Sequence, residues 1–77
     1  MNEDKLKLFV NELNYKKQVS FYLFNVKYII TYEEKKYKIK QENLSTYHSY
    51  SSIIDLFNEY YIYGNALKDL FEEIIII

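Results

Sequence analysis

Val19-Ser20-Phe21-Tyr22-Leu23-Phe24-Asn25-Val26-Lys27-Tyr28-Ile29-Ile30-Thr31-Tyr32-Glu33-Glu34-Lys35-Lys36-Tyr37-Lys38-Ile39-Lys40 is the stretch that decides the fold. Large side chains recur in it with a period of two: Val19, Phe21 and Leu23, then Tyr28, Ile30 and Tyr32, then Tyr37 and Ile39. Successive side chains of a strand point to opposite faces, so this period marks strands with one buried face. A loop over Glu33-Glu34-Lys35-Lys36 sets Tyr32 opposite Tyr37 and Ile30 opposite Ile39. A turn at Asn25-Val26 sets Leu23 opposite Tyr28, Phe21 opposite Ile30 and Val19 opposite Tyr32. That register gathers all eight side chains on one face. It predicts a three-stranded antiparallel meander. Val26 suits a tight turn poorly, so the first hairpin is the less well specified.

Upstream, Leu6, Phe9, Val10 and Leu13 recur at i, i+3, i+4 and i+7, which predicts a helix over 3–14. Asn2 can cap it, Glu3 and Asp4 suit its dipole, and Asn14 can end it. Downstream, Asn43 to Ser52 is polar and reads as a loop. Ser52 and Asp55 have the spacing of a capping box, with Asp in place of Glu. A short helix follows, with Ile53, Leu56, Phe57 and Tyr60 on one face. Gly64 ends this helix or sits in the turn after it. Asn65 then caps a last helix that buries Leu67, Leu70, Phe71 and Ile74. The expectation is one α+β domain over residues 1–77, of order α-β-β-β-α-α, with the helices on one face of the sheet. Ile74-Ile75-Ile76-Ile77 would be an aggregation hazard if exposed. They pack into the core, extend the sheet edge, or form a homodimer or partner interface.

The composition narrows function. Ten tyrosines occur among 77 residues, with no cysteine, proline, tryptophan or arginine and one glycine. Tyrosine joins a large apolar ring to a polar tip, which suits cores and contact surfaces. The bias towards Lys, Asn, Ile, Tyr and Phe is also that of an AT-rich genome. A lone histidine without thiols does not make a structural zinc site, and no cofactor is expected. His48 lies in Ser45-Thr46-Tyr47-His48-Ser49-Tyr50-Ser51 with no orienting acid or oxyanion loop, and Gly64 stands alone, so no phosphate loop exists. The expectation is not an enzyme. The acidic start and short apolar runs match neither a signal peptide nor a membrane span, which points to a cytoplasmic protein.

Charge is uneven. Residues 1–43 hold nine lysines and six acids, a net of +3, and residues 44–77 hold one lysine and five acids, a net of −4. The sheet face turned from the core would carry Lys27, Lys36, Lys38 and Lys40 among Tyr22, Phe24 and Ile29. Aromatic rings among lysines can bind single-stranded nucleic acid, and equally make a solvated sheet face. Lack of arginine removes bidentate phosphate and base contacts. The helical half would carry Asp55, Glu59, Asp69, Glu72 and Glu73, with Tyr60, Tyr61 and Tyr63 as anchors.

The element order resembles the double-stranded RNA-binding domain, but that family's lysine cluster is reduced here to Lys68 amid acids, so its function is set aside. Ser51-Ser52-Ile53-Ile54-Asp55-Leu56-Phe57 with Ile62-Tyr63-Gly64-Asn65-Ala66-Leu67-Lys68-Asp69-Leu70 resembles the C-terminal segment of small uncharacterised phage and mobile-element proteins of low-GC bacteria. Tyr63 stands where that pattern has an acid. The resemblance implies a phage origin and, by size and element order, an anti-CRISPR type of inhibitor. The functional expectation is a non-catalytic protein-binding module, an inhibitor that blocks a basic surface of a host defence nuclease. The alternatives are a small single-stranded nucleic-acid binder using the lysine face, or a structural homo-oligomer closed by Ile74, Ile75, Ile76 and Ile77.

Overall fold

A computed structural model describes residues 3–77. Helix α1 (Glu3–Lys16) is followed by strands β1 (Gln18–Leu23), β2 (Val26–Glu33), β3 (Lys36–Gln41) and β4 (His48–Tyr50). Helix α2 (Ile53–Glu59), the short strands β5 (Tyr61–Ile62) and β6 (Asn65–Ala66), a 3-10 helix (Leu67–Glu73) and strand β7 (Ile75–Ile76) complete the chain. The α+β class is as expected. The main sheet has five strands rather than three, in the order β4-β3-β2-β1-β7, and β5 and β6 form a separate hairpin.

The period-two reading holds for the core face. Val19, Phe21, Leu23, Tyr28, Ile30 and Ile39 are buried, and Tyr32 and Tyr37 pack against them. The second hairpin has the expected register, Tyr32 opposite Tyr37 and Ile30 opposite Ile39. The first is shifted by two: Leu23 faces Val26, Phe21 faces Tyr28 and Val19 faces Ile30. Its turn is Phe24-Asn25, not Asn25-Val26, with φ of 51° and 65°. Two successive left-handed residues match the right-handed twist of the strands, and β-branched Val26 is the wrong residue for that conformation. A slip of two keeps every side chain on its face, so both registers bury the same residues.

Helix α1 runs past Asn14 to Lys16, and Lys17 takes the left-handed position (φ 61°) instead. The expected Asn2 cap lies outside the described residues. Phe9 and Leu13 are buried on its inner stripe. The Phe9 ring lies 6.1 Å from Phe21, 5.5 Å from Phe57 and 5.6 Å from Phe71, joining α1, the sheet, α2 and the 3-10 helix. Truncating such a side chain costs about 3–5 kcal/mol, comparable with the whole stability of a small domain.

Half of the capping box forms: the Asp55 N–H donates to Ser52 Oγ at 3.0 Å, while the Asp55 carboxylate accepts from the Ser51 hydroxyl at 3.2 Å. Gly64 (φ 80°) lies in the Tyr63-Gly64 turn of the β5–β6 hairpin. Asn65 therefore belongs to β6 and caps nothing. The last helix is 3-10, begins after Ala66 without a side-chain cap, and still buries Leu67, Leu70 and Phe71. Lys5 Nζ donates to the carbonyls of Glu72 (2.8 Å) and Ile74 (2.9 Å) where that helix ends. The loop expected over 43–52 contains β4, whose Tyr50 and His48 face Tyr37 and Ile39. Of the isoleucine run, Ile74 is buried and Ile75-Ile76 pair with Tyr22 and Phe21 as the edge strand β7.

Candidate contact surface

Two of the three tight turns built by left-handed residues meet at one end of the molecule. Phe24 of the β1–β2 turn and Tyr63 of the β5–β6 turn lie with ring centroids 5.9 Å apart. Both stay open to solvent, Phe24 at 48% and Tyr63 at 76%, beside Tyr61 at 63% and Tyr22 at 43%. Two-residue turns leave the backbone little freedom, so these rings are displayed on a stiff support.

Two grooves flank this end. One, of about 430 Å³, is lined by Tyr22, Asn25, Val26, Lys27, Gln41, Glu42 and Asn43. The other, of about 260 Å³, is lined by Val26, Tyr28, Gln41, Tyr60, Tyr61, Ile62 and Tyr63. Val26 and Gln41 border both, so the surface is continuous. The charged side chains lining the grooves are Lys27 and Glu42, which pair at 3.0 Å. Burial pushes the Tyr28 phenol up, with Tyr63 adding to it. Burial likewise raises Tyr60, with Tyr28 and Tyr50 contributing, and Tyr50, with Glu59 contributing. These phenols are neutral at physiological pH and can donate or accept hydrogen bonds. The surface thus offers aromatic rings, phenols and the amides of Asn25, Gln41 and Asn43, with its two charges mutually satisfied.

This arrangement draws on both sets of residues singled out from the sequence and leaves out most of the charge. Tyr63 from the helical half contacts Phe24 from the sheet, with Tyr61 in one flanking groove and Tyr22 and Lys27 in the other. Tyr60 packs inward, against Tyr28 (6.5 Å) and His48 (5.5 Å), rather than standing out as an anchor. His48 is exposed on β4 and in ring contact with Tyr60. Asp55 is occupied by the α2 cap, Glu59 is exposed on α2, and Asp69, Glu72 and Glu73 are exposed on the 3-10 helix. None of these five carboxylates lines either groove.

Lys27 of β2 and Lys36, Lys38 and Lys40 of β3 lie on the sheet face turned from the core, and part of this row is already engaged. Lys38 donates to Glu33 Oε1 at 3.2 Å and lies 5.0 Å from the Tyr47 ring centre. That hydrogen bond is the main reason its ammonium is held above the usual range. Lys36 and Lys40 complete the row opposite Glu33 and Ile29. Phe24 is absent from this face because it sits in the turn. Asn25, Val26, Gln41 and Asn43 are groove residues that the sequence does not mark as contacts, Asn25 and Val26 being expected only as a turn. The signal for Asn25 was its ease in the left-handed region. Among the described residues no group of His, Cys, Asp and Glu could hold a metal ion, and no helix is long and apolar enough to cross a membrane. In comparisons with known proteins, no family model, curated protein or solved structure matches the chain.

Proposed function

We propose that the chain is a cytoplasmic, non-catalytic protein-binding module whose contact surface is the aromatic end of the sheet. The observation that carries this reading is the Phe24–Tyr63 contact, which joins two rigid turns into one solvent-open aromatic surface. Tyrosine supplies large contact area at low conformational cost, and such rings dominate protein interfaces. The test is crosslinking in lysate with quantitative mass spectrometry, comparing the unaltered chain with Tyr61→Ser/Tyr63→Ser. A partner enriched by the first and lost by at least ~10-fold in the second fits the reading. Identical recovery by a variant with unchanged circular dichroism would sink it.

The partner class within this reading is a host defence nuclease, blocked at a basic surface by a phage-encoded inhibitor. Its support is the exposed run Asp69, Glu72 and Glu73, in which Asp69 and Glu72 stand one 3-10 turn apart and share a face. The nucleic-acid alternative rests on Lys36, Lys38 and Lys40 aligned along β3. It predicts retardation of mixed-sequence single strands in a gel, weakening steeply with salt and lost in Lys38→Glu/Lys40→Glu. No retardation at low salt removes it.

A further inference from the structure

We propose that β7 is a self-association edge: two copies of this chain pair Ile76 against Ile76 and join their sheets about a twofold axis. This goes beyond the aromatic surface and uses the far edge of β1. The Ile77 N–H donates to Ser20 O of β1 at 3.0 Å, and Ile75 and Ile76 lie opposite Tyr22 and Phe21. Strand amides alternate in direction, so the N–H and C=O of Ile76 point away from β1, to the open edge. The carbonyl of Ile74 has the same outward direction and is engaged by Lys5 at 2.9 Å. Within β7, therefore, Ile76 alone turns its donor–acceptor pair outward.

That brevity selects the occupant. A long foreign strand would find a single residue to bond and would leave its own neighbouring amides unmatched. A second copy presents the same short edge, and an antiparallel pair of equal edges is self-complementary. Pairing Ile76 with Ile76 also sets Ile75 against Ile77 of the other copy. Ile75 and Ile77 are 65% and 60% exposed, and Leu8 beside them is 49% exposed. Asp4, Lys5, Leu8 and Ile74 to Ile76 line a groove of about 480 Å³ next to the edge, on the α1 side of the sheet that the Ile76 side chain, opposite Phe21, also faces. β7 itself carries none of the lysines or bulges that usually blunt an edge. The opposite edge, β4, presents exposed His48 and Ser49 instead, so pairing closes at two copies.

The test is mass by light scattering from about 5 to 500 µM, with amide hydrogen exchange read at Ile76. A small interface of this kind should dissociate on the order of 10 µM. The expected result is twice the 9.5 kDa protomer mass at high concentration, with Ile76 protection rising alongside. Ile76→Pro removes an N–H that β1 does not use, on an edge strand that tolerates proline. It should weaken pairing at least ~30-fold, since both copies lose a bond. A chain that stays at protomer mass throughout overturns the proposal. So does open-ended growth, a dimer whose Ile76 amide exchanges freely, or a folded Ile76→Pro variant that pairs undiminished. If Ile76→Pro does not fold, the exchange of the unaltered chain decides.

Discussion

Several non-glycine residues hold backbone conformations that L-residues resist. Lys17, Phe24, Asn25, Glu34, Lys35 and Tyr63 all have positive φ, while the single glycine serves one such position. Each left-handed L-residue other than Asn costs on the order of 1 kcal/mol. Lys35 lies in the Glu34-Lys35 turn, away from the aromatic end, and is exposed. Lys35→Gly should therefore stabilise the fold by about 0.5–1 kcal/mol, seen as a rise in urea midpoint at constant slope. A lower midpoint would mean the turn is not left-handed. Lys5 is the opposite case, a side chain whose removal is costly. Losing its ammonium leaves the Glu72 and Ile74 carbonyls without that donor. Hydrogen bonds to charged groups contribute about 1.5–3 kcal/mol, so Lys5→Met should lower stability by about 2 kcal/mol. An unchanged thermal midpoint would refute the assignment. The phenols add a pH dependence. Tyr28, Tyr50 and Tyr60 titrate above the ordinary value of 10.0 in the folded chain and near it when unfolded. Between those two values the native state holds more protons, so stability is full below pH ~10 and falls as pH rises through the folded pKa values. Absorbance at 295 nm should show these phenolates appearing late, together with alkaline unfolding. Uniform titration of all the tyrosines ahead of unfolding would contradict it.

At the scale of elements, α2 offers the most direct check. Ser52 Oγ accepts the Asp55 N–H at the N-terminus of a seven-residue helix. Ser52→Ala should cost about 1 kcal/mol, and Ser52→Asp should restore most of it. Failure of Asp to rescue would show that packing of Leu56 and Phe57 holds the helix without its cap. The capping pair was legible in sequence because it depends on local spacing. So were the buried positions of β1, β2 and β3, which follow from parity alone and are indifferent to a register slip of two. Elements defined by partners were not legible. β4 is polar, and its backbone becomes a strand because β3 presents an open edge to it. The alternation of His48 and Tyr50 about Ser49 was the faint signal. β5 and β6 have two residues each, too few for any period to show. The isoleucine run carried strong β-propensity, and its use as an edge strand was one of the readings open from the start. For the contact surface, the tyrosines were visible, but their grouping was not. It depends on Phe24 sitting in a turn that sequence reasoning displaced by one residue.

At the scale of the molecule, the uneven charge becomes a two-layer arrangement. Lys36, Lys38 and Lys40 lie on the outer face of the sheet, while Asp55, Glu59, Asp69, Glu72 and Glu73 lie on the helical layer that covers the inner face. Lys38 pairs with Glu33 and Lys27 with Glu42, acids already included in the net +3 of residues 1–43, so the net −4 of residues 44–77 is the larger of the two charges. The far field of the chain is therefore best used by its acidic layer. If the aromatic end makes the contact and the acidic layer guides the approach, the two should separate kinetically. Rim charges govern association rate and its salt dependence, whereas buried aromatic anchors govern dissociation. Glu72→Lys/Glu73→Lys changes the charge by four units without touching either groove. It should slow association with a captured basic partner about 10-fold at low ionic strength, leave dissociation unchanged, and lose its effect near 0.5 M salt as screening shortens. Tyr61→Ser/Tyr63→Ser should do the reverse, speeding dissociation while leaving association and its salt slope alone. Stopped-flow measurement of both variants separates the roles. If the lysine pair leaves the association rate untouched at low salt, the acidic layer plays no part in recognition, and the aromatic end must find its partner by shape alone.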